Sequence, residues 1–260
     1  LEFRRVLFRS DAVERVMGGG HRRALVLSRP PGHHAEADRA MGFCFFNNVA
    51  VAAAHARALG AGRVAIVDYD VHHGNGTQHI FENDGDVLYI STHQFPYYPG
   101  TGSADEVGYT GGAGRTVNIP IEMGATDDDY RLVFEQVVLP VLRQFEPDIV
   151  LVSAGFDAHE RDPLGAMRLT TGGFVAMTAA LRTLAESACD GRLVLVTEGG
   201  YDLRALGECL RTLAILRPWW GYRRLYRLLR REGLQVNRKR VQRVYREAGL
   251  HVRQRPRKRV

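Results

Sequence analysis

Four stretches of the chain follow one pattern: an apolar run of buried-strand length passes directly into residues capable of chemistry. They are ALVLSRPPGHH (residues 24–34), VAIVDYDVHH (64–73), DIVLVSAGFD (148–157) and LVLVTEGGY (193–201). Runs without polar alternation suit strands covered on both faces. Helical patterns lie between them, so the fold class expected is α/β, a parallel sheet flanked by helices. In such sheets ligands bind outside the carboxyl ends of the strands. The polar residues ending the four runs are therefore expected to meet in one crevice.

The other elements follow in order. Ala24–Leu27 reads as a strand stopped by Pro30 and Pro31, which cannot donate to a ladder. Asn47 or Asn48 can cap an Ala-rich helix that runs to Leu59 and ends at Gly60. Val87–Ser91 reads as a strand, and the Gly-, Pro- and Tyr-rich loop from His93 to Gly114 is too long for a mere connection. Asp127, Asp128 and Asp129 suit a helix start, where the macrodipole favours negative charge, and Pro140 should bend that helix. Strands at Ile149–Val152 and Leu193–Val196 and helices at Thr171–Ala188 and Leu203–Leu213 complete the alternation.

Within Val64–Thr77, Asp68, Asp70 and His72 recur at every second residue, which in an extended segment puts all three on one face. Two carboxylates and an imidazole at the end of a core strand cost several kcal/mol to bury unless they are paired. A divalent cation is a fitting partner, so a metal site is expected.

Charge divides the chain. Residues 11–216 carry 16 basic and 26 acidic residues, whereas residues 217–260 carry 16 and 2. An acidic body is thus joined to a basic tail, with a boundary near Leu216. Residues 1–10, including EFRRVLFRS, show no amphipathic period and look like an in-frame translation of a sequencing adapter; they are read as a non-native leader. No apolar stretch approaches the about 18 residues of a membrane span, so no membrane partner is expected. Cys44, Cys189 and Cys209 form no CxxC, which fits buried thiols in a reducing cytoplasm.

Residues 23–213 resemble the histone deacetylase family, nearest its class II and bacterial amidohydrolase members. The stretches that carry the resemblance are RPPGHHAEADRAMGFCFFNNVA, VDYDVHHGNGTQ, YYPGTG, SAGFDAHERDPLG and EGGYDL. The resemblance implies the arginase/deacetylase fold and a zinc-dependent hydrolysis of N-acetyl amides, with acetyl-lysine or a small acetylated amine as substrate. It implies Asp70, His72 and Asp157 as zinc ligands, His34 as general base and then acid, and His33 as a charge-stabilising neighbour. Asp68 is then the partner of His33 and Asn75 the partner of His34; Asn at this position resembles class II. Tyr201, after Gly199 and Gly200, becomes the hydrogen-bond donor to the oxyanion. Gly42, Phe43, Tyr98 and Gly200 line a substrate tunnel. Main-chain oxygens of Asp68, Asp70 and His72, with Ser91 and Thr92, match a site for a monovalent cation, K+. An arginase-like ureohydrolase shares the fold, but would need a D-x-H-x-D strand end where this chain has D-x-D-x-H.

In the tail, Leu225, Leu228 and Leu229 are at helical spacing before Gly233, and Asn237 can cap a second helix through Val241, Val244 and Tyr245. The segment 218–260 is similar to the helix-turn-helix-like part of IS3-type transposases, which implies contact with DNA through residues 217–260. The family domain normally extends beyond the part matched here, so a sheet edge is expected to lie uncovered. The chain reads as a truncated gene joined to unrelated sequence, and weak folding or low activity is expected of it.

Overall fold

The computed structural model describes residues 3–215. Its strands are β1 (Arg23–Val26), β2 (Val64–Asp68), β3 (Val87–Gln94), β4 (Thr116–Ile121), β5 (Ile149–Ala154) and β6 (Leu193–Thr197). They form one parallel sheet in the order β1-β6-β5-β2-β3-β4. From β2 the chain proceeds through β3 to β4 on one side, and from β5 to β6 on the other. The switch in direction falls between β2 and β5, where open α/β sheets bind ligands.

The helices are α1 (Phe3–Met17), α2 (Asn48–Ala58), α3 (Asn75–Phe81), α4 (Asp127–Val133), α5 (Leu139–Phe145), α6 (Thr171–Ala188) and α7 (Leu203–Ile215). Strand parity shows that both sheet faces are covered. Val64 and Ile66 of β2, Ile149 and Leu151 of β5, and Val194 and Val196 of β6 share a buried cluster with Val49, Ala52, Ala53 and Ala56 of α2. The opposite parity, Ala65, Val67, Val150, Val152, Leu193 and Leu195, is buried as well. Each buried Val, Leu or Ile contributes about 1.5–3 kcal/mol relative to exposure. Alanines on α2 let its backbone approach the sheet closely.

Sequence and structure differ at several elements. Helix α1 starts inside the segment set aside as a leader: Arg9, Ala12, Val13 and Val16 are buried at i, i+3, i+4 and i+7. That face straddles Ser10 and begins with an arginine, which hid its period. Strand β4 is absent from the sequence reading because it is half exposed and contains Pro120, both marks of an edge strand. At Pro140 the helix does not simply bend. A π-helical turn, Phe134–Val138, precedes α5, which starts beside the proline whose missing N–H would interrupt a continuous α-helix. Asn47 is the cap of α2, its side chain accepting from Ala50 N–H at 3.0 Å.

Among the described residues, strand β1 pairs with β6 alone and forms one edge of the sheet. All three cysteines are buried. No helix among the described residues is long and apolar enough to cross a membrane. The chain divides into two compact units, Leu1–Leu206 and Gly207–Val260. The helices expected at Tyr222–Glu232 and from Asn237 onward lie outside the described residues.

Candidate active site

The four strands that open the sequence argument are neighbours, β1-β6-β5-β2, so their C-terminal ends face one region. Register places Asp68 beside Ser153 across β2 and β5. Asp70 and His72 leave the end of β2 while Asp157 leaves the end of β5, and the three converge at the topological switch. One donor atom from each of Asp70, His72 and Asp157 lies within 4.8 Å of the others. His72 Nδ1 is 3.1 Å from both Asp70 Oδ1 and Asp157 Oδ2.

Backbone donors fix the carboxylates. Val71 N–H donates to Asp157 Oδ1 at 2.9 Å, His72 N–H to Asp70 Oδ1 at 2.9 Å, and Gly199 N–H to Asp70 Oδ2 at 2.7 Å. Only glycine fits at 199, where a Cβ would stand 1.9 Å from Asp157 Oδ2 and 2.6 Å from Asp70 Oδ2. Burial, followed by the charge of Asp70, pushes Asp157 up to about 7. Burial opposes charge on His72, but the hydrogen bonds its ring donates to Asp157 and Asp70, with the charges of those carboxylates, outweigh it and raise His72 to about 10. Two buried carboxylates and one imidazole nitrogen converging on a point therefore attract positive charge, and the donor set fits a divalent cation.

The two histidines sit on the loop after β1, both buried. Glu198, at the end of the adjacent β6, accepts from the N–H groups of Gly32 and His33 and so pins that loop to the sheet. His33 Nδ1 is 2.9 Å from Asp68 Oδ2, and its Nε2 is 3.7 Å from Asp70 Oδ1. Asp68 also accepts from Asp70 N–H at 3.1 Å and from Tyr89 OH at 3.4 Å. Burial works against charge on His33, yet Asp68, Asp70 and Glu198 together raise it well above the usual histidine range. His34 Nδ1 is 2.8 Å from Asn75 Oδ1. Burial, then the neighbouring charge of His33, pushes His34 down to about 3. Neutral His34 beside charged His33 is an acceptor beside a donor.

The trio expected at the end of β2 is therefore divided: Asp70 and His72 join Asp157, whereas Asp68 serves His33. Tyr201 follows Gly200, whose φ of +123° only glycine adopts easily, and Asp162 accepts its backbone N–H at 2.6 Å. Its half-buried ring lies 6.2 Å from that of Phe43, and burial raises the hydroxyl above its ordinary range. Phe43 is 71% exposed and Tyr98 44%, so both stand at the mouth of the site. Tyr98 meets His34 edge-on, ring centres 5.1 Å apart, while Gly42 lies against the His34 ring. Ser91 pairs in register with Asp68, and Thr92 donates to the Asp68 main-chain oxygen at 3.4 Å, so three of the residues expected around a monovalent cation, Asp68, Ser91 and Thr92, are neighbours.

Sequence reasoning missed Tyr97, which stacks on His72 at 5.5 Å, together with Glu198 and Glu36. It also missed His73, which joins Thr101 at 2.8 Å and Gln78 at 2.9 Å and so anchors the YYPGTG loop. Glu36 and Glu198 lie within the quoted motifs, and being acidic residues at buried strand or loop ends was the one signal available.

The family description "Histone deacetylase domain" matches residues 8–215, and "HTH-like domain" matches residues 204–259. Histone deacetylase 15 of Arabidopsis thaliana is 50% identical over 201 residues, covering 76% of this chain and 36% of that protein. The histone deacetylase-like amidohydrolase of Pseudomonas aeruginosa is 46% identical over 216 residues, covering 82% of this chain and 56% of the relative. The crystal structure of the HDA15 HD domain superposes with a TM-score of 0.76 at 47% identity, covering 80% of this chain and 58% of that one. The chain thus spans between about a third and just over half of the length of these relatives.

Proposed function

The chain belongs to the histone deacetylase family, and from that premise we propose that it is a zinc-dependent hydrolase of N-acetyl amides, acting on acetyl-lysine or a related small acetylated amine. The observation that carries the reading is the convergence of Asp70, His72 and Asp157 beside two buried histidines, His33 paired with the Asp68 carboxylate and His34 with the Asn75 amide.

Asp70, His72 and Asp157 would hold the zinc, which would supply Lewis acidity toward the acetyl carbonyl and make a water acidic enough to react near neutral pH. His34 Nε2 takes the proton of the attacking water, since its Nδ1 is engaged by Asn75. Protonated His34 then gives the proton to the departing amine. His33, kept positive by Asp68, stabilises the negative charge developing nearby. The Tyr201 hydroxyl donates to the oxyanion of the tetrahedral intermediate; removing such a donor typically costs about 100- to 1,000-fold in turnover. Phe43 and Tyr98 flank the acyl chain at the mouth, and Gly42 and Gly200 leave room for it. Buried main-chain oxygens near Ser91 and Thr92 suit K+.

The test is to purify the chain, measure bound metal, and compare turnover of an acetyl-lysine peptide with that of an acetylpolyamine. About one zinc per chain with release of acetate supports the reading; a metal-free protein inert to both substrates overturns it. For the tail, the HTH-like match and the excess of basic residues favour contact with DNA. Retention on DNA that weakens steeply with salt supports this, and salt-independent elution overturns it.

A further inference from the structure

We propose that Glu36 is a positioning residue that sets the tautomer of His34 by orienting the side-chain amide of Asn75. The proposal rests on His34 being the base, and it accounts for how an amide can serve where His33 has a carboxylate.

The chain of contacts admits one arrangement. A carboxylate accepts hydrogen bonds and donates none. Glu36 Oε1 lies 2.5 Å from Asn75 Nδ2, so the NH2 end of that amide must face Glu36. The same nitrogen also reaches Met41 Sδ, a weak acceptor, at 3.5 Å. The opposite end, Asn75 Oδ1, is then aimed at His34 Nδ1, 2.8 Å away. An amide oxygen accepts only, so His34 must carry its proton on Nδ1 and keep its lone pair on Nε2.

Without Glu36 only the weak acceptor Met41 Sδ, 3.5 Å from Asn75 Nδ2, distinguishes the two ends of the amide. Oxygen and NH2 are nearly isosteric, and a half-turn of the amide would offer a donor to Nδ1. The proton would then move to Nε2, and the base would be blocked at the atom that must accept. His33 is free of this ambiguity because both oxygens of Asp68 accept.

The fold brings these groups together. Glu36 lies two residues after His34 on the same loop, and Asn75 is the first residue of α3. The two segments cross so closely that a Cβ on Gly76 would stand 2.2 Å from Ala35 O. The Glu36 side chain is only 11% exposed, and its carboxylate also meets His79 Nδ1 at 3.0 and 3.1 Å.

The test uses the full chain and two readouts. Long-range proton–nitrogen correlation of the His34 ring, in metal-free protein near neutral pH, should report the Nδ1–H tautomer in the wild type. Glu36→Leu should move population to Nε2–H, and Glu36→Gln, which keeps the shape and an acceptor oxygen, should retain Nδ1–H. In turnover, Glu36→Leu should lower kcat by about 10-fold or more with KM unchanged. Adding Asn75→Asp to Glu36→Leu should restore most of that loss, because a carboxylate at 75 needs no orienting neighbour; a purely structural role for Glu36 predicts no rescue. A His34 that stays Nδ1–H in Glu36→Leu, or a tautomer lost equally in Glu36→Gln, overturns the proposal. Because the tautomer is read without substrate, a chain inert to every acetylated amine refutes the deacetylase reading while leaving this test intact.

Discussion

His33 and His34 are consecutive residues with ring centres 4.1 Å apart and similar burial, yet their charges are driven in opposite directions. His33 faces Asp68, which is fixed at the end of a core strand and held by Asp70 N–H and Tyr89 OH. His34 faces an amide on the first turn of a short helix, and its chain of contacts runs outward through Asn75 and Glu36 to the half-exposed His79. Burial alone would neutralise both rings. The difference shows that the partner, not the depth, assigns the charge: a buried anion keeps one imidazole positive while an amide leaves its neighbour free to accept.

The strongest way to break this comparison is to remove each ring in turn. His34→Ala is expected to lower kcat by about 100- to 10,000-fold, the range of a general acid–base residue, with bound metal retained. His33→Ala should cost less, since it removes a charge and not the acceptor. A larger loss for His33→Ala, in initial-rate kinetics at matched metal content, would reverse the two assignments.

Stability provides a second, smaller contrast. Removing one member of a buried ion pair costs about 3–5 kcal/mol, because the other charge is left uncompensated. Leaving a neutral buried group without its hydrogen-bond partner costs about 1–3 kcal/mol. Asp68→Ala should therefore lower the urea midpoint of the metal-free protein more than Asn75→Ala does. Equal midpoints would mean that His33 is neutral in the folded state.

How much of this could be read in advance depends on whether the signal was local. β2, β5 and β6 announce themselves as unbroken apolar runs because both of their faces are buried. β4, with one open edge and Pro120, and α3, whose sequence NGTQHIF is largely polar, carry no such signature. Asp70 and His72 stand out through their spacing, but the association of Asp157 with them rests on a strand pairing 85 residues away in the chain, such as Ile66 with Leu151, and on family resemblance. Glu36 and Glu198 were invisible for the same reason: a single acidic residue has no period, and its role exists only once Asn75 or the Gly32 and His33 amides are beside it.

The smallest expected effect is also the most direct measure of the contrast, the pH dependence of folding in the metal-free protein. For His33 the folded state holds its proton more tightly than the unfolded chain does. The stability it contributes is fully present below about 6.5, the ordinary histidine value, and is lost as pH rises from there through its raised folded value. For His34 the sign is opposite: the folded state binds the proton less well, so between about 6.5 and about 3 the protein loses stability as pH falls. Each ring can contribute a slope of up to about 1.4 kcal/mol per pH unit. Other buried groups titrate in the same range, Asp157 and Glu198 among them, so differences between variants are informative where a single curve is not. In urea titrations, His34→Gln should flatten the acid limb and leave the alkaline limb in place, whereas His33→Gln should do the reverse. If both substitutions flatten the same limb, the two rings share one charge state and the division of roles between them is lost.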